Sequence, residues 1–220
     1  MPSRRATPAS PAAPARDRAA TEARLLAAVG EVLARDGFAA LGVNAVARAA
    51  GVDKVLIYRY FDGLPGLVAA WGRSGSFWPG IDELMRPDRE AFLALPLAER
   101  YARFFEHLAE GLRQRPLTLE IMAAEILEPR NELTAILESE REAWGEKVGR
   151  ALGGAEFARR PELQGLTLLL VAGVQYLLLR SRRIRVFGGV DIRSDAGWGT
   201  LQASLRRLAQ DLFPDETPKR

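Results

Sequence analysis

Lys54 and Tyr58 stand four residues apart, and so do Val55 and Arg59. On a helix that spacing puts the four side chains on one side. They offer an ammonium, a phenol, a guanidinium and a small apolar group. Cations and phenols of this kind hold phosphate oxygens, while short side chains near a helix start can meet base edges in a groove. The chemistry indicated is recognition of a DNA duplex rather than bond making. The rest of the chain agrees. It has no cysteine and a single histidine, His107, which excludes disulfides, thiolate nucleophiles and multi-histidine metal sites. No acid–histidine or serine arrangement suggests catalysis, so no enzyme activity, metal or cofactor is expected.

Presenting those side chains takes two short helices at a fixed angle. Val43–Ala50 reads as the first, and Lys54–Phe61 as the second, with Asp53 as its N-cap. Gly51 permits a turn with positive φ at little cost. Val46, Ala47, Val52, Ile57 and Phe61 form an inward set, with Ala47 small where the second helix crosses. Asn44, Lys54, Val55, Tyr58 and Arg59 form an outward set. Such a pair is a helix-turn-helix.

The flanking sequence is helical throughout. Leu25, Leu26, Val29, Val32 and Leu33 recur at three-four spacing within Arg18–Asp36, and Gly37 stops that helix. Phe38 and Leu41 read as packing residues in a connector. Pro65 sits in the first turn of a further helix running to about Arg73. Residues 72–87 read as a loop. Helices are then expected over Leu97–Arg115, Leu117–Leu127, Asn131–Leu152, Leu163–Arg183 and Ala196–Phe213, with Gly153-Gly154 ending the third of these and Ile184–Asp195 forming an irregular link. No stretch alternates long enough to predict a sheet, so the fold class is all-α.

Residues 1–16, rich in Pro, Ala and Ser but carrying Arg4, Arg5 and Arg16, predict a disordered arm. They lack the apolar segment of a secretory signal. The longest apolar run, Leu166–Leu179, falls short of the roughly 20 residues of a membrane span and predicts a buried helix. Lack of cysteine suits a cytoplasmic protein. A net charge of only +3, with a pI near 9.6, fits nucleic acid if the charge is concentrated locally.

The run AVARAAGVDKVLIYRYF, behind a long first helix, resembles the DNA-binding domain of the TetR family of transcriptional regulators over residues 18–72. The family shows Ile-Ala-x-x-Ala-Gly-Val-Ser followed by Leu-Tyr-x-His/Tyr-Phe at the same offsets. The resemblance implies an arm (1–16), a three-helix helix-turn-helix domain (17–72) and a helical ligand-binding and dimerisation domain (73–220). It implies that Asn44, Lys54 and Val55 approach base edges, with Leu56 near a thymine methyl. Tyr58, Arg59 and Tyr60 would hold phosphates, and Arg48 would add a backbone contact. The implied partners are a double-stranded DNA operator, a second copy through the last two helices and an unidentified small-molecule ligand, with no membrane. For the ligand pocket the candidates are Trp71, Phe104, His107, Met122, Glu125, Trp144, Gln175 and Tyr176, although the same residues suit an ordinary core. Two positions depart from the family pattern. Gly42 stands where Thr or Ser usually caps the second helix, and Leu64 where a Lys usually follows the recognition helix. Arg59 could replace the missing phosphate contacts. The implied function is a ligand-released repressor, and the alternative is a helical small-molecule-binding or scaffold protein with a degenerate helix-turn-helix.

Overall fold

The computed structural model describes residues 13–74, 77–127 and 132–213. The chain divides into two compact units, Met1–Trp71 and Gly72–Arg220. The described residues are almost wholly helical, as the periodicity indicates.

The first unit begins with α1, Ala13–Asp36. Residues 13–16, assigned by composition to a disordered arm, are therefore the first turn of this helix, and residues 1–12 lie outside the described residues. Gly37, at φ 74°, ends it. A single 3₁₀ turn, Phe38–Ala40, leads through buried Leu41 to α2, Val43–Ala50. Gly51 takes the left-handed conformation at φ 63°, and its N–H caps the carbonyl end of α2. α3 follows at Val55–Phe61 and α4 at Leu64–Gly72. Leu25, Val29, Val32, Val46, Ile57, Leu67 and Val68 are all fully buried and close one core over the four helices. The three-four spacing of Leu25, Val29 and Val32 gives α1 one apolar stripe, so helix formation and packing reinforce each other there.

The second unit is built on α7, Leu97–Arg113. Before it come two short helices, α5 (Ile81–Leu84) and α6 (Arg89–Leu93). The sequence reading missed α5 because four residues cannot display a helical period. α8 (Pro116–Leu127), α9 (Glu132–Arg159), α10 (Pro161–Ser181) and α11 (Asp195–Leu212) complete the unit. α7 contacts α5, α8, α10 and α11. It can do so because Tyr101, Phe104, Phe105, Leu108 and Leu112 form one buried face, which Ala98, Ala102, Ala109 and Gly111, also buried, widen on either side.

Three expectations need correction. Gly154 does break the helix, at φ 48° and ψ −133°, but helix resumes beyond it to Arg159. The link after α10 is a small antiparallel hairpin, β1 (Val186–Phe187) with β2 (Val190–Asp191). Gly188 and Gly189, both with positive φ, make the tight turn that this pairing requires. Finally, α10 is not a buried helix. In its most apolar 18-residue window only 17% of residues are buried, and by length and composition alone it could cross a membrane. An apolar helix so exposed on a single chain needs a covering surface.

Candidate nucleic-acid interface

Local chemistry fixes α3. The Asp53 carboxylate accepts a hydrogen bond from the Val55 N–H at 2.9 Å, which satisfies one of the open donors at the helix start. The carbonyls of Asp53 and Lys54 accept from Leu56 and Ile57. At the other end Asp62 adopts φ 59° and Gly63 φ 102°, and the chain reverses into α4. Asp62 is the only non-glycine residue with positive φ among the described residues, in a conformation that Asp tolerates better than most side chains.

The helix then presents two distinct faces. Ile57 is fully buried, with Val46, Ala47 and Ala50 of α2 also in the core. Val52 and Phe61 are half-buried. On the opposite side Val55 is 60% and Tyr58 58% exposed. Asn44, Arg48, Lys54 and Arg59 are exposed as well, while Leu56 and Tyr60 are half-buried. Val55 and Tyr58 thus lie open on the side of α3 turned away from the core. Among the described residues Arg48, Lys54 and Arg59 form no ion pair, so their charge is available. α2 carries no side-chain cap, because Gly42 has none to give. Leu64 is half-buried.

Residues 25–70 match the sequence pattern of the bacterial regulatory proteins of the tetR family. The first unit carries the TetR-family pattern over those residues. Solved structures similar to the whole chain agree in fold. A fatty acid degradation regulator, FadR, from Bacillus halodurans superposes with a TM-score of 0.56 at 16% identity, covering 85% of this chain and 96% of its own. A TetR family transcription regulator from Marinobacter aquaeolei VT8 gives 0.56 at 18% identity, covering 90% and 97%. No curated protein matches the chain significantly.

Beyond the residues of the TetR-family pattern, the eight residues named for a ligand pocket occupy separate places. Trp71 belongs to the first unit, where it is buried beside Gly30 of α1. Phe104 is buried edge-on to Phe105, with ring centroids 5.2 Å apart. His107 Nδ1 lies 2.8 Å from the Leu84 carbonyl oxygen, tying α7 to α5. Met122 is buried in α8. Glu125 pairs with Arg141 across α8 and α9. Trp144 donates to the Pro79 carbonyl at 2.8 Å and stacks on Trp78. Gln175 is half-buried, and Tyr176 is half-exposed against Phe187 of the hairpin.

None of these eight lines the cavity of about 260 Å³ that opens between α7, α10 and α11. Phe105 and Ala109 form its floor, and Leu169, Gly173, Val174, Trp198 and Leu205 line its walls. Sequence alone could not find it, since it arises where α10 and α11 both pack on α7 but little on each other.

Beside α3, the sequence reading did not foresee the position of Arg18. Its guanidinium carbon lies 5.0 Å from the Tyr60 ring centroid. The contact joins residues 42 positions apart (60 − 18), and no local pattern announces it.

Proposed function

We propose that this chain is a cytoplasmic, homodimeric, ligand-responsive transcriptional repressor without enzyme activity. The outward face of α3 carries this reading. Lys54 and Val55, at its start, would meet base edges with Asn44. Leu56 would touch a thymine methyl, and Tyr58, Arg59, Tyr60 and Arg48 would hold phosphates.

The exposed face of α10 supports the dimer. Leu168 is 69% and Leu169 72% exposed, and both lie on the side of Gly165, Ala172 and Tyr176, which are exposed too. On α11, Gly199 and Ala203 are also exposed. Small residues flanking large apolar ones let helices of two copies approach closely and bury what one copy leaves wet. A two-fold dimer would present two recognition helices to two half-sites.

The second-unit cavity supports the effector. Its lining is apolar apart from Gln202 and Ser204, which suits a largely aliphatic molecule with one polar end. FadR from Bacillus halodurans is described as a regulator of fatty acid degradation, and a fatty acid or its derivative is the first class to test. Coupling of this kind needs about 1–3 kcal/mol between the two binding events. Titrating fatty acids of increasing length against the protein bound to its own upstream DNA tests the switch. Release by a subset of chain lengths is expected, and unchanged DNA affinity with every ligand that binds would contradict it.

Gly42 and Leu64 favour a second reading, a helical ligand-binding or scaffold protein whose helix-turn-helix no longer grips DNA. Absence of salt-sensitive DNA binding would select it.

A further inference from the structure

Two guanidinium groups flank one phenol at the end of the recognition helix. Arg18 lies 5.0 Å from the Tyr60 ring centroid and Arg59 lies 6.0 Å from it. Arg59 comes from α3 itself, but Arg18 comes from the first turns of α1. Tyr60 is only half-buried and Arg18 is exposed. Like charges gathered on one half-buried ring repel each other, and an anion placed beside them reduces that repulsion.

Arg18 is engaged on one side only. Its Nε donates to Glu22 Oε1 at 2.7 Å, one helical turn along α1. Among the described residues its two terminal Nη groups make no hydrogen bond. A guanidinium with its terminal fork open is suited to a phosphate diester, which it can grip through two parallel N–H groups. An exposed ion pair four residues apart on a helix is a weak restraint, so Glu22 does not remove Arg18 from use.

We propose that Arg18 is a DNA-phosphate ligand, forming with Tyr60 and Arg59 a backbone clamp at the C-terminal end of the recognition helix, with Glu22 as the counter-charge that phosphate replaces. The proposal rests on the reading of α3 as the DNA-facing helix. The clamp supplies positive charge where Gly42 and Leu64 supply none.

The test uses full-length protein, a fluorescently labelled duplex of mixed sequence and anisotropy titrations over a range of about 50–200 mM salt. Arg18→Gln is expected to weaken binding and to reduce the slope of log K against log salt by about 0.9 for each protomer engaged. Arg18→Lys, which keeps the charge but loses the fork, should retain the slope with lower affinity. Glu22→Gln should tighten binding, since it removes a carboxylate that competes with phosphate. Arg24→Gln, an exposed cation on the same helix, should leave the slope unchanged. Thermal melts of each variant separate binding from folding. If Arg18 merely staples α1 to Tyr60, Arg18→Gln lowers the melting temperature and leaves the slope alone, which overturns the proposal. Weaker binding by Glu22→Gln with a normal melt overturns it as well. If the unmodified protein shows no salt-dependent binding, the reading of α3 fails and the clamp with it. Normal slopes in both proteins reject the clamp alone.

Discussion

Gly66 lies directly against the carbonyl of Phe61: a β-carbon on Gly66 would stand 1.8 Å from that oxygen. The first turn of α4 is thus pressed onto the last residue of α3, and the neighbour is backbone, which cannot swing away. Gly66→Ala must shift one helix against the other. It is expected to destabilise the first unit by about 1–3 kcal/mol, the usual cost of overpacking, and to reduce DNA affinity by misplacing α3. Urea denaturation beside DNA titration would show both.

Ile57 and Tyr58 are adjacent in sequence and opposite in consequence. Ile57 is fully buried and Tyr58 is 58% exposed. Ile57→Ala should cost about 2–5 kcal/mol of stability through the cavity it leaves. Tyr58→Ala should alter stability by no more than about 0.5 kcal/mol and yet weaken DNA binding. A thermal melt and a binding curve on both variants check the division of labour.

The difference in burial between Ile57 and Tyr58 was legible in the sequence because it is local. Helical spacing and the Gly51 turn separate Ile57 from Tyr58 without any knowledge of the fold. The hairpin was not legible, since two-residue strands are too short to show alternation. The exposure of α10 was not legible either. Apolar composition says that a helix will be covered, and only the packing of α7 shows that its own chain does not do it. The cavity and the Arg18–Tyr60 contact were hidden for the same reason, being products of tertiary approach.

Leu169 tests the dimer. At 72% exposure it makes little contribution to the fold of one chain, so Leu169→Asp should leave helix content and the melt of the isolated subunit nearly unchanged. It should dissociate the dimer by placing a charge in an apolar interface. Sedimentation equilibrium distinguishes the two states, and an unaltered dimer would place the interface elsewhere.

Glu125 should make stability pH-dependent. Burial, the largest influence, raises its pKa above the ordinary carboxylate value, and the Arg141 guanidinium opposes that shift only in part. A carboxyl whose folded pKa is raised binds its proton more tightly when folded. Its contribution to stability is present below the unfolded pKa and is lost as pH rises through the folded one. Glu125→Gln, which stays neutral throughout, should therefore gain stability relative to the unmodified protein as pH rises from about 4 towards neutrality. Denaturation midpoints of both proteins across that range give the sign directly.

The most direct test of the account is to select binding sites from a random duplex library with the full-length protein and with Lys54→Ala. The protein should enrich a two-fold symmetric sequence, and Lys54→Ala should relax the base preference within each half-site while keeping their spacing. Failure of the unmodified protein to enrich any sequence, or an identical motif from both proteins, would contradict the assignment of α3 as the reading helix.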